Sequence, residues 1–215
     1  GNRLSWHGRI HTMDVWQGEI IKEGIILSGF KDNRRVLTWT HIESSGNYRN
    51  SIEKYNHKIY SIGIHEFGVS SEGKIYDYRQ DTAQRDGNKD AGIYFNLDGS
   101  PTGHMFPVII ENDMVKYKSI KWYLQMIIFG WGKVKPFLDN NAVNREGRTP
   151  QDQFIHELKQ VIDMYSHHRN TGEPLHFEGI EMDVEASMTE DTTSQGYDEK
   201  YITFLKRVKN EVVIP

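Results

Sequence analysis

The chain has 215 residues, of which 37% are hydrophobic, 26% charged and 12% aromatic, with no cysteine and a net charge of -4. That length can bury a sizeable core in one large domain, and the missing cysteine excludes disulfides, thiolate metal sites and thiol nucleophiles together. No Lys/Arg block is interleaved with aromatics as a nucleic-acid groove requires, and no run of about 18 apolar residues marks a membrane span.

From Trp6 to Phe30 the text "WHGRIHTMDVWQGEIIKEGIILSGF" mixes short apolar runs with glycines. It predicts β-hairpin material, although "EIIKEGII" also admits a helix. We take residues 1–33 as a β-rich lead-in and 34–215 as the main domain. "RRVLTWTHI" (Arg34 to Ile42) is a β-branched and aromatic run that predicts a first strand, followed by turn residues and a short helical pattern. "KIYSIGIHEFGVSS" (Lys58 to Ser71) predicts the second strand. Residues 72–103, rich in Gly, Asp, Asn and Lys, predict a long loop or hairpin insertion.

A short helix is expected around Met114 to Ile120. "KWYLQMIIFGWG" (Lys121 to Gly132) then reads as a third strand, apolar enough to be buried on both faces and closed by glycines. The clearest helix follows, with Thr149 as N-cap, Pro150 at its first position and Asp152 in its first turn. Phe154, Ile155, Leu158, Val161, Ile162 and Tyr165 form its apolar stripe, and His167, His168 and Arg169 fall where a helix dipole favours cations. "LHFEGIEMDVEASM" is the fourth strand. Tyr201, Phe204, Leu205, Val208 and Val212 mark one face of a last helix. This alternation predicts right-handed βαβ units and a mainly parallel α/β sheet, open or closed into a barrel. Four such units amount to half of a (β/α)8 barrel.

The fourth strand carries four carboxylates in eight residues. Alternation puts Glu181, Asp183 and Glu185 in one file with Gly179, at steps of about 6 to 7 Å, while Glu178, Ile180, Met182 and Val184 tend to the other face. Glu185 is nearest the C-terminal end, where parallel sheets place their active sites. Carboxylates this close in a partly dry site cannot all ionise cheaply, so one of them retaining a proton would make a general acid. A solvated strand face and an oxygen-ligand site for Mg or Ca are the alternative readings.

"FEGIEMDVE" resembles the DGxDxDxE signature of family 18 glycoside hydrolases, the chitinases and endo-β-N-acetylglucosaminidases, with acids at all four signature positions. "QMIIFGWG" sits where that family carries its third-strand SxGG-like motif, and "PQDQFIHELKQVIDMY" corresponds to the helix leading into the catalytic strand. The resemblance implies a TIM-type (β/α)8 barrel of which this chain holds the first half. It makes Glu185 the general acid/base and Asp183 the group that orients the substrate's 2-acetamido oxygen as nucleophile, with Glu181 as the third catalytic acid and Glu178 as a substrate-binding residue. It implies no cofactor and no metal. The family's acetamido-binding tyrosine and sugar-floor tryptophan come from later strands, so further domains or subunits would complete the barrel.

Trp39, Trp122 and Trp131 near strand ends have faces suited to stacking on sugars or to packing in the core, and Trp131 is the best placed for a sugar. Phe129 falls on either face, depending on register. Tyr48, His41, His65 and Glu66 also lie near strand ends. No P-loop, GxGxxG or GxSxG sequence occurs. The expected function is cleavage of β-1,4 linkages in N-acetylglucosamine-containing polysaccharide, chitin or peptidoglycan, in an extracellular, cell-wall or virion setting. The alternative is a carbohydrate-binding or structural module of the same fold without turnover.

Overall fold

The computed structural model describes residues 3–11, 36–40, 50, 52–77, 108–187 and 197–213. Among the described residues, six strands form one sheet: β1 (Arg3–His11), β2 (Val36–Thr40), β3 (Ile59–Val69), β4 (Ile75–Asp77), β5 (Lys121–Phe129) and β6 (Gly179–Ser187). The spatial order is β1-β6-β5-β3-β2, and β4 pairs with β3 beyond the end of β2. β2, β3, β5 and β6 run parallel and lie side by side in the order of the chain, the arrangement expected of successive βα units. The class is therefore α/β with a mostly parallel sheet.

The edge of β6 is covered by β1, which is antiparallel to it along nine residue pairs. The lead-in expected at 1–33 thus supplies an edge strand of the main sheet. An uncovered edge would expose a row of backbone donors and acceptors, and β1 satisfies the one on β6.

Among the described residues, besides helical residues at 50 and 52–55, the helices are α1 (Val108–Lys116), α2 (Trp131–Asp139), α3 (Pro150–Met164) and α4 (Tyr197–Val208), the last running into a π-helical turn at Lys209–Val213. Ile62, Ile64, Leu124, Met126, Ile180, Met182 and Val184 join one apolar cluster with Phe137, Phe154, Leu158, Val161 and Phe204 of the helices. Edge-to-face contacts between Phe137 and Phe204 (4.9 Å), Phe154 and Phe204 (5.6 Å) and Phe137 and Phe154 (5.8 Å) tie α2, α3 and α4 together. Truncating any of these buried rings to alanine costs about 3–5 kcal/mol. A bulge between His65 and Phe67 switches the parity of β3, which keeps Phe67 and Val69 in the core along with Ile62 and Ile64.

The start of α3 agrees with its sequence. The Thr149 hydroxyl accepts from the Asp152 amide (3.3 Å) and the Asp152 carboxylate accepts from the Thr149 amide (3.1 Å), a capping box with Pro150 at the first helical position. Two expectations shift. α1 begins upstream of the expected Met114–Ile120 and overlaps it only at Met114–Lys116, and α2 was not foreseen because "GWG" reads as the close of the third strand. α2 nevertheless forms, with Val134, Phe137 and Leu138 buried and Asn140 ending it in a left-handed conformation (φ 56°). The Asn140 Oδ1 also accepts from the Gln151 amide at 2.9 Å, which joins the end of α2 to the start of α3.

Candidate functional site

The two faces of the sheet differ in chemistry. The helix side is the apolar cluster; Tyr123 and Ile127 are equally buried but take no part in it, because they alternate to the opposite face. The parallel register places Gln125 beside Glu181, Ile127 beside Asp183 and Phe129 beside Glu185. Glu181, Asp183 and Glu185 therefore share one face in the predicted file, and Ile180, Met182 and Val184 point into the core. On the other side of β6, the antiparallel register sets Arg9, His7 and Ser5 of β1 opposite Glu181, Asp183 and Glu185 in turn.

Burial is graded along the file. Glu181 is 5% exposed and Asp183 8%, whereas Glu185, at the C-terminal end, is only half-buried. Their charge reaches across the sheet: burial first, and then Asp183 and Glu181, push the Tyr201 hydroxyl well above the ordinary tyrosine range. That hydroxyl donates to the Met182 carbonyl at 3.3 Å, which anchors α4 beneath the file. Gln125 Oε1 is buried without a hydrogen-bond partner on the acid face, at the level of Glu181.

At the C-terminal rim the Gly130 amide donates to the Glu185 carbonyl at 2.7 Å, so the turn after β5 is fixed to the strand of the acids. Gly130 has φ +89°, a value that glycine adopts without steric cost and that aims the chain into α2. Phe129, just before it, is 48% exposed on the acid face. Trp131, just after it, is half-buried and packs edge-to-face on Tyr197 at 4.8 Å. The Tyr197 hydroxyl donates to Asp139 (2.8 Å), whose carboxylate also meets Lys135 and Lys200. Burial alone would raise the Asp139 pKa, but these three partners outweigh it and hold it at about 2. Trp131 is thus part of the packing between α2 and α4, and Phe129 is the ring turned towards the acids.

Glu178 lies elsewhere. It precedes β6, its amide donates to the Trp122 carbonyl (2.8 Å), and its carboxylate pairs with Lys121 Nζ at 2.5 Å. Seven residues of strand, roughly 23 Å, separate it from Glu185, so the two carboxylates do not meet on one sugar ring. Trp39 falls in β2 opposite Gly63, but its side chain, like those of His65 and Glu66, lies outside the described residues, as do His41 and Tyr48 altogether.

His168 is not at a helix end, since α3 stops at Met164. It is buried in the following loop, where Nε2 meets Asn112 Oδ1 at 2.7 Å and Nδ1 accepts from the amides of Asn170 and Thr171. These bonds staple this loop to α1. Among the described residues no three His, Asp or Glu side chains converge as a metal site would need, and no helix is long and apolar enough to cross a membrane. An open groove of about 490 Å³ between Leu138, Asn140, Gln151, Glu199, Lys200 and Thr203 lies among α2, α3 and α4, on the side away from the acids. No family model matches the chain, and no curated protein or solved structure shows significant similarity to it.

Proposed function

We propose that the chain is a glycoside hydrolase of the family 18 type, acting on β-1,4-linked N-acetylglucosamine polymers, with its four βα units as half of a (β/α)8 barrel. The observation that carries the reading is the graded file on β6: two buried acids leading to a half-buried Glu185 at the C-terminal end of a parallel strand, on the face opposite the apolar cluster. A carboxyl there, beside other acids, is placed to keep a proton until a leaving group needs it.

In this reading Glu185 protonates the glycosidic oxygen as the substrate's own acetamido oxygen attacks C1. The C1–O bond breaks, an oxazolinium forms, and water opens it while Glu185 takes the proton back. Asp183 orients the acetamido group and Glu181 supports Asp183. No enzyme carboxylate attacks the sugar, which sets this route apart from the two-carboxylate scheme.

A second reading is a carbohydrate-binding or structural module without turnover. It is favoured by β1, which fills the edge of β6 where a further parallel strand would continue a barrel. Release of 4-nitrophenol from 4-nitrophenyl chitobioside separates the two. The enzyme reading expects turnover that falls about 10²–10⁴-fold in Glu185→Gln. Turnover indifferent to that change sinks it, and chitin-oligomer binding without turnover supports the module.

A further inference from the structure

We infer that Phe129 is the platform on which the sugar ring at Glu185 stacks, and that it restricts the ligand to pyranosides with one apolar ring face, such as the β-gluco type. This deepens the reading of the acid file as a glycosidase site and rests on it.

Three observations converge. Phe129 and Glu185 are partners in the parallel register, so their side chains leave neighbouring strands, roughly 4.8 Å apart, on the same face. Both are the accessible ends of their rows: behind Phe129 lie buried Ile127 and Gln125, and behind Glu185 lie buried Asp183 and Glu181. Phe129 and Glu185 are thus adjacent accessible side chains at the C-terminal rim of this face. The Gly130 amide bond to the Glu185 carbonyl, 2.7 Å, fixes the spacing between the two strand ends.

The face is also amphipathic across its width. The Tyr76 ring lies over Gly68, because a Cβ built on that glycine would fall 2.4 Å from the ring, and Gly68 pairs with Ile127. Tyr76, Ile127 and Phe129 make an apolar strip beside the row of acids. The Gln125 Oε1, without a hydrogen-bond partner, is buried on that same face behind Phe129. The buried Tyr76 and Ile127 back the Phe129 ring, and that exposed ring beside the half-buried Glu185 carboxyl matches a pyranose, whose C–H face is apolar and whose edge is a ring of hydroxyl and amide donors. Trp131, the aromatic that sequence favours for this role, has its ring engaged with Tyr197.

The test uses the whole chain with 4-nitrophenyl chitobioside for kinetics and tetra-N-acetylchitotetraose for calorimetric binding. Phe129→Ala is expected to raise KM and Kd about 5–10-fold, the worth of one aromatic stacking contact, with kcat changed far less. Phe129→Trp should restore both constants and Phe129→Leu should not, because a stack needs a ring and not merely apolar bulk. If the unaltered chain is active and Glu185→Gln abolishes turnover, yet Phe129→Ala or Phe129→Leu keeps KM and Kd, the platform is overturned while the enzyme reading stands. If the unaltered chain neither binds nor cleaves, both fall. Binding without turnover that still depends on the Phe129 ring removes the enzyme and keeps the platform.

Discussion

The Glu157 carboxylate of α3 accepts the Ile75 amide of β4 at 2.6 Å, and this bond joins a helix to a strand 82 residues away in sequence. Gln153 Nε2 donates to its other oxygen at 2.7 Å. Burial is the larger influence and pushes the Glu157 carboxyl up to about 7 from 4.5, against the opposing pull of both bonds and of Lys74 and Arg148. The folded chain thus holds this proton more tightly than the unfolded one. The stabilisation is complete below about pH 4.5, declines as pH rises, and is gone above about 7. At ~1.4 kcal/mol per unit, the span is worth roughly 3 kcal/mol. Glu157→Gln should flatten that decline while losing about 1 kcal/mol through its imperfect match to Gln153. Thermal unfolding of both proteins across this window checks it, and parallel pH profiles would refute the assignment.

Gly73, in the turn between β3 and β4, has φ +81°, and a Cβ there would fall 1.8 Å from the Pro150 carbonyl oxygen. The turn therefore sits directly on the first residue of α3. Gly73→Ala faces a left-handed backbone penalty of about 1–2 kcal/mol and an overlap with main chain that cannot rotate away, costing about 1–3 kcal/mol more. Urea unfolding should show a loss of roughly 3 kcal/mol. Gly147, also at positive φ (+76°) but with open space around it, should lose only the backbone share on the same substitution.

How far sequence reached depended on whether the cause was local. Thr149, Pro150 and Asp152 specify the start of α3 within four residues, and the alternation of β6 places its acids in one file for the same reason. α2 was hidden because its stability comes from Phe137 against Phe154 and Phe204, contacts made far along the chain, while its own text offers only Gly130, Gly132 and Pro136. β4 is three residues inside a polar stretch and exists through its pairing with β3. The facing of Phe129 depends on register between strands, which no single strand reveals. Glu178 belongs to the acid motif by spacing, but where β6 begins is decided by its neighbour β5.

The buried Glu111 of α1 is held by Arg169, whose amide donates to Oε2 at 2.7 Å and whose Nε donates to Oε1 at 2.6 Å. With the His168–Asn112 bond this fastens the loop after α3 to α1. Arg169→Leu leaves a fully buried carboxylate without the guanidinium that contacts it through Nε and Nη2, and should cost about 3–5 kcal/mol. Adding Glu111→Leu to that variant should recover part of the loss, since it removes the uncompensated charge. A double variant less stable than Arg169→Leu, measured by the urea midpoint, would mean that Glu111 contributes through something other than this pair.

Glu178 and Glu185 belong to one sequence motif but lie at opposite ends of β6, and their substitutions should behave differently. Lys121 is a third exposed at its side chain, so its pair with Glu178 is solvent-screened and worth less than about 1 kcal/mol. The contact raises the Lys121 pKa, mainly through its hydrogen bond to Glu178. Because this shift favours the charged lysine in the folded chain, its small contribution is present below the unfolded value of 10.5 and is lost only in strongly alkaline solution. Glu178→Gln should therefore lower the melting temperature slightly near neutral pH and leave KM for chitobioside as it was, whereas Glu185→Gln should remove turnover with little change in stability. A rise in KM with Glu178→Gln as large as that from Phe129→Ala would place Glu178 in contact with substrate, and the roughly 23 Å of strand between it and Glu185 would then have to be spanned by a longer polysaccharide chain.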